Sequence, residues 1–249
     1  MPSISQYGRF LPAERCFELN REPPRKWRNI HYTQWGGTEM YAEVSNIGDG
    51  FCRVRDPVGN TCMLVGWDAK YCYIRDDETD LTFNPWGAPC PTKVTDRSCR
   101  FYPEQTVTRG TAAGLRATQR VFVPRREPIE IWSVTVENLE DRARTVSVFA
   151  YALFQLSGNN REGHGVWKDN HSAIRPDLGG VLVYNRHHSR PAPWFNGYLI
   201  ATDGFTAGTG YRDTFTRSEF SPATPRIMWG GDLDGRDGLG PDCAGAVQV

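Results

Sequence analysis

No apolar run among the 249 residues approaches the ~20 needed for a membrane-crossing helix, so no membrane partner is expected. The N-terminus, MPSISQYGRF, lacks the basic start and apolar core of a signal peptide, which predicts a cytoplasmic chain. Net charge is absent too: 29 Lys and Arg balance 29 Asp and Glu. No basic stripe carries interleaved aromatics, so nucleic acid is not an expected partner. The seven cysteines are odd in number and contain no C-x-x-C pair. That argues against a disulfide framework or a zinc site and for buried free thiols. No G-x-S-x-G elbow exists, and no Gly-rich phosphate loop leads into a helix.

What is present points to strands. Twenty-five Gly and seventeen Pro suit many tight turns, and aromatics reach 12% with eight Trp. Such rings stack on sugar faces or fill a wide sandwich core, and composition does not choose between them. The organising stretch is Phe122 to Leu156. Ile131 to Val136 is β-branched and aromatic, Asn138 to Asp141 is turn chemistry, and Val146 to Phe154 returns apolar on both faces. This predicts a central hairpin, with a helix over Ala150 to Leu156 as the rival. Other strands are expected at Phe51–Val54 and Thr61–Val65 around an Asp56–Asn60 turn, at Tyr71–Arg75, Leu115–Val123, Gly180–Asn185 and Gly197–Thr202. The sequence reads as one all-β domain, residues 1–249, an antiparallel sandwich. Ala246–Val249 reads as the start of a strand, which predicts an unfinished sheet with an unpaired neighbour prone to self-association.

Candidate chemistry is sparse. Sugar hydrolysis needs two carboxylates at set separations. Asp76, Asp77, Glu78 and Asp80 are adjacent on one turn and read as solvated. Asp232, Asp234, Asp237 and Asp242 lie among glycines, but their spacing does not match a calcium loop, so a mobile loop is expected. His187 and His188 are neighbours and on a strand would point to opposite faces, so no shared metal is expected. No catalytic residue and no metal site is assigned. Ser157 to Ser172 stands out as a long polar segment after an apolar strand, where about five connecting residues would serve. Asn159, Asn160 and Asn170 supply amides, Lys168 a cation and Trp167 a stacking ring, a mixture suited to hydroxyl-rich ligands. His164, Asp169 and His171 add polar groups. A surface insertion is the alternative reading.

Several strings carry a resemblance. They are YGRF at Tyr7–Phe10, NIGDGF at Asn46–Phe51, YCYIRD at Tyr71–Asp76, FVP at Phe122–Pro124, EIWSVTVENLEDRARTVSVFAY at Glu130–Tyr151, and YRDTF at Tyr211–Phe215. In this order they are similar to the N-terminal β-sandwich of glycoside hydrolase family 94, the cellobiose, cellodextrin and chitobiose phosphorylases. The resemblance implies a supersandwich of galactose-mutarotase type, C-terminally incomplete, whose catalytic (α/α)₆ barrel is absent from this chain. It implies a parent enzyme, a homodimer, that cleaves a β-linked oligosaccharide with inorganic phosphate as co-substrate, gives an α-sugar-1-phosphate and needs no cofactor. A carboxylic acid and the phosphate-holding residues would lie on the barrel, the partner domain of the same polypeptide. A sandwich loop would reach the acceptor side of the active site. Lys168 and Asn170 stand where that loop carries a basic residue and an Asn. Two other readings stay open: a carbohydrate-binding module without chemistry, and a mutarotase-like epimerase.

Overall fold

The computed structural model of the chain describes residues 4–158, 169–185 and 196–249. Alternation builds its first layer. In β10 (Leu115–Phe122) every second residue, from Leu115 to Val121, is buried, and β9 (Thr106–Ala112) repeats the pattern. Strands with one face on a core must alternate in this way. They lie in a six-stranded antiparallel sheet ordered β1 (Gly8–Leu11), β2 (Cys16–Leu19), β8 (Thr95–Phe101), β9, β10, β11 (Ile131–Asn138).

The second sheet is the middle of the molecule. Its order is β16 (Ala207–Tyr211), β17 (Cys243–Gln248), β12 (Val146–Gly158), β6 (Thr61–Asp76), β5 (Cys52–Arg55), β4 (Thr38–Ser45), β3 (Arg28–Trp35), with β7 (Leu81–Phe83) also on β6. The spine is β6 with β12, paired from Val146↔Asp76 to Gly158↔Cys62. A third sheet holds β13 (Asn170–Arg175), β14 (Gly180–Asn185) and β15 (Asn196–Ile200).

Three expectations change here. Ile131–Asn138 and Val146–Gly158 are both strands, but they form no hairpin. β11 pairs with β10 at the edge of the first sheet, whereas β12 lies between β6 and β17 in the second. The cause is burial: β11 is only half-buried, while β12, apolar on both faces, needs a covered central place. Second, Thr61–Val65 and Tyr71–Arg75 belong to one strand, bent where Asp68 takes φ 50°. Third, the final strand is interior. β17 is buried along its length and bonded to β16 on one side and β12 on the other, so the expected unpaired neighbour is not beside it. The β5–β6 turn is as expected, with Asp56 Oδ1 accepting the Asn60 and Val58 N–H groups at 2.7 and 3.1 Å.

Core packing follows the sheets. Val146 and Val148 of β12 join Ala117, Leu115 and Val134 of the first sheet. Further along the same strand Phe154 and Leu156 meet Val181 and Val183 of the third. The Phe154 ring fits only because Gly197 faces it: a Cβ there would lie 2.3 Å from a ring carbon. The opposite face of β12, with Phe149 and Tyr151, packs Phe215, Ile227 and Leu233. All seven cysteines are buried and free. Burial pushes the Cys72 and Cys99 thiols up to about 12, which leaves them unreactive at neutral pH.

Candidate functional site

The polar segment expected from Ser157 to Ser172 is shorter than predicted at both ends. β12 continues to Gly158, and β13 begins at Asn170. Trp167, Lys168, Asn159, Asn160 and His164 lie outside the described residues, as do His187 and His188. The strand ends flanking those segments are described, and they meet. Asn170 pairs with Asn185 across β13–β14, and Tyr184 with Asn196 across β14–β15. Asn170, Asn185 and Asn196 therefore lie at one end of the third sheet.

An amide and aromatic cluster closes that end. Asn170 is buried; its Nδ2 donates to the Gln155 carbonyl of β12 at 3.2 Å. Its Oδ1 accepts from Asn185 Nδ2 at 2.8 Å. The Asn170 amide thus ties β12, β13 and β14 together at the root of both segments. His171 stacks on Tyr184 with ring centroids 5.5 Å apart and planes 14° from parallel. One residue on, the buried Ser172 hydroxyl donates to the Gly210 carbonyl and accepts the Gly238 N–H, both at 2.7 Å. It clamps β13 to β16 and to the stretch 236–239. Tyr184, Asn185 and Gln155 carried no signal in the sequence, because only strand register brings them to Asn170.

The acidic candidates resolve into structure. Asp76 is not solvated: it is fully buried and ion-paired to Arg144 at 2.5 Å. Its turn folds under the 139–145 connection, which the sequence did not place beside it. The Gly/Asp-rich stretch is clipped to its neighbours rather than free. Asp232 accepts from Gln248 Nε2 at 2.7 Å, Asp237 accepts the Ile174 N–H at 2.9 Å, and Asp242 pairs with Arg217. No group of three or more potential metal ligands occurs among the described residues. A buried pair that no spacing pointed to joins Lys70 to Glu130 at 2.5 Å, with Trp132 Nε1 donating to the same carboxylate at 2.7 Å. No described helix is long and apolar enough to cross a membrane.

Comparison with known proteins gives this architecture relatives. Solabiose phosphorylase of Paenibacillus borealis is 32% identical over 174 residues, covering 66% of this chain and 22% of the relative. N,N'-diacetylchitobiose phosphorylase of Vibrio furnissii is 27% identical over 230 residues, covering 88% and 28%. 3-O-beta-D-glucopyranosyl-beta-D-glucuronide phosphorylase of P. borealis is 28% identical over 169 residues, covering 68% and 21%. The chain spans about a quarter of the length of the curated relatives it matches. The profile of the glycosyl hydrolase 94 supersandwich domain matches residues 18–249, nearly every strand described above, and the chain belongs to that family.

Proposed function

We propose that this chain is the sandwich domain of an inverting glycoside phosphorylase that cleaves a β-linked di- or oligosaccharide with inorganic phosphate, releasing an α-sugar-1-phosphate. The observation that carries this reading is the family match over residues 18–249, together with relatives that are phosphorylases of solabiose, diacetylchitobiose and a glucosyl glucuronide. The acid that protonates the leaving oxygen belongs, on this reading, to a helical barrel elsewhere in the polypeptide. Phosphate takes the place of the water used by an inverting hydrolase, so one carboxyl group suffices. The sandwich shapes the acceptor side and supports a cytoplasmic homodimer. Trp167 and Lys168 are the proposed acceptor contacts. Asn170, with its amide already engaged, holds their root in position.

The test uses the full-length polypeptide with β-linked glucose disaccharides and phosphate, assayed for sugar-1-phosphate. The 249-residue chain alone is expected to make none above a no-protein control. In the synthetic direction, Lys168→Ala and Trp167→Ala should each raise KM for the acceptor with little change in melting temperature. Unchanged kinetics in both variants would remove these residues from the acceptor site.

A further inference from the structure

Between Tyr211 and Arg236 the chain leaves the second sheet and returns to it, and this excursion borders an open crevice of about 450 Å³, with Glu219 and Arg236 exposed at its rim. Its walls are held from several directions. After β16 the chain forms one short helix, α1 (Asp213–Thr216), whose Phe215 is buried and stacked on Tyr151 with centroids 5.1 Å apart. Tyr73 Oη donates to the Pro222 carbonyl at 2.9 Å, and Arg75 Nη1 to the Gly231 carbonyl at 2.6 Å. The returning stretch is then clipped to β16: Gly235 N–H donates to Gly208 O at 3.1 Å, and Gly210 N–H to Arg236 O at 2.7 Å. These bonds place Arg236 over the Tyr211 ring, 4.5 Å from its centroid. These bonds fix the backbone on both sides of the crevice, which lowers the ordering cost of binding.

The lining is unusual for a structural crevice. Asp213, Glu219 and Asp234 bring three carboxylates, Arg226 and Arg236 two guanidiniums, and Tyr211 and Phe220 two aromatic rings. The charged groups are poorly paired with each other. Arg226 lies 3.9 Å from Asp234 and Arg217 3.7 Å from Asp213, both beyond hydrogen-bond distance. Glu219 and Arg236 have no ion-pair partner among the described residues. Asp234 is engaged from within the fold, accepting the Arg236 N–H at 3.4 Å and bonded by the Thr209 and Thr214 hydroxyls, so the groups left to face a ligand are Glu219 and the two guanidiniums, beside aromatic surface. Carboxylates outnumber guanidiniums, which disfavours a phosphate or other anion. The polar rim disfavours a purely apolar ligand. Vicinal hydroxyls suit it: each gives a hydrogen to a carboxylate and takes one from a guanidinium, while a ring covers C–H surface.

We propose that the crevice bounded by Tyr211, Asp213, Glu219, Arg226, Asp234 and Arg236 binds a neutral saccharide unit. Its volume lies in the lower part of the range of small-molecule pockets, roughly 300–1,000 Å³. The Ser172 hydroxyl of the strand-end cluster bonds Gly210, next to Tyr211 in the chain, and Gly238, two residues after Arg236. The assignment rests on this lining and stands whether or not the polypeptide is a phosphorylase.

Hydrogen exchange on the full-length polypeptide tests it, with glucose and cellobiose as probes and inorganic phosphate as counter-probe. Sugar should slow exchange in peptides covering 207–220 and 226–239. Glu219→Gln and Arg236→Ala should each raise the half-maximal sugar concentration about tenfold, the loss expected for one charged hydrogen bond, with an unchanged melting temperature. Protection by phosphate instead of sugar would overturn the proposal, as would equal half-maximal concentrations in both variants and the parent. Sugar-1-phosphate formation without protection of these peptides would also overturn it while leaving the phosphorylase reading intact. Protection without any phosphorolysis would support the crevice and count against that reading.

Discussion

Changing Asp76 to Asn removes one charge from a pair that water does not reach. Asp76 Oδ2 lies 2.5 Å from Arg144 Nη2, with the side chains 0% and 1% exposed. The carboxylate also accepts the Thr79 hydroxyl at 2.7 Å and the Glu78 N–H at 3.2 Å. An amide oxygen still accepts from those donors, so the loss is mainly the charge. Arg144 would remain buried, bonded to the Ala113 carbonyl, with half-exposed Glu140 3.6 Å away as its remaining carboxylate. Breaking a buried pair from one side costs about 3–5 kcal/mol, and the nearby Glu140 favours the lower end, about 3 kcal/mol. For a chain of this length that lowers Tm by roughly 6–12 °C. Arg144→Met leaves Asp76 its two other donors, so its cost should be smaller, about 2 kcal/mol. The double variant D76N/R144M leaves neither charge unpaired, and its loss should fall short of the sum by at least about 1.5 kcal/mol. Thermal melts and urea titrations near neutral pH measure all three. Strictly additive losses, or a D76N melt within about 2 °C of the parent, would refute the buried-pair account. Acid adds a second check. Burial alone would raise the Asp76 pKa, but the Thr79 and Arg144 bonds hold it below the usual carboxylate range. A depressed folded value means the contribution is complete above about pH 4 and is lost as pH falls through the folded pKa, so D76N should flatten the acid limb.

Three further outcomes are expected. Burial, reinforced by the charge of Lys70, lowers His31 to about 4. Between about pH 4 and 6.5 the unfolded chain takes up a proton that the folded chain refuses, so stability should drop by roughly 3 kcal/mol on acidification across that window. H31Q should abolish that slope in denaturant midpoints, and an unchanged slope would exclude His31 as its source. Gly197→Ala forces a Cβ against the Phe154 ring and should cost about 1–3 kcal/mol, partly recovered by Phe154→Leu in the same melt. Ser172→Ala leaves the Gly210 carbonyl and Gly238 N–H without their partner, costing about 1–3 kcal/mol, and hydrogen exchange across 236–239 should quicken.

Strand identity was legible because it is local. The alternation in Leu115–Val123, the β-branched run of Gly180–Asn185 and the Asp56–Asn60 turn each fix their element within a few residues, and each was found. Pairing was less legible because it depends on distant chain. Sequence adjacency and the Asn138–Asp141 turn suggested that β11 and β12 pair. The Asn138 amide does donate to the Arg142 carbonyl at 2.6 Å, so the turn chemistry is real. It turns the chain from one sheet into the other, and the same connection carries Arg144 to Asp76 at the end of β6. No short-range pattern encodes that reach.

The site was legible only where its residues sit close together in the chain. Polarity marked the stretch after Leu156, and Asn170 was picked out within it. The groups that hold the Asn170 amide, Gln155 and Asn185, each lie 15 residues away. The first is reached through the end of β12 and the second through the β13–β14 register. The 211–236 crevice shows the limit more sharply. Asp213 and Asp234 were read in two unrelated features, a YRDTF string and a Gly/Asp-rich tail, and Glu219 in neither. Glycine was the clue that joins them. Gly210 and Gly238 leave room for the Ser172 hydroxyl, with would-be Cβ positions only 2.2 and 2.6 Å from its oxygen. A side chain at either position would push the returning stretch off β16, and Arg236 would no longer lie over Tyr211. Glycines that read as looseness in the sequence permit the closest approach in the fold.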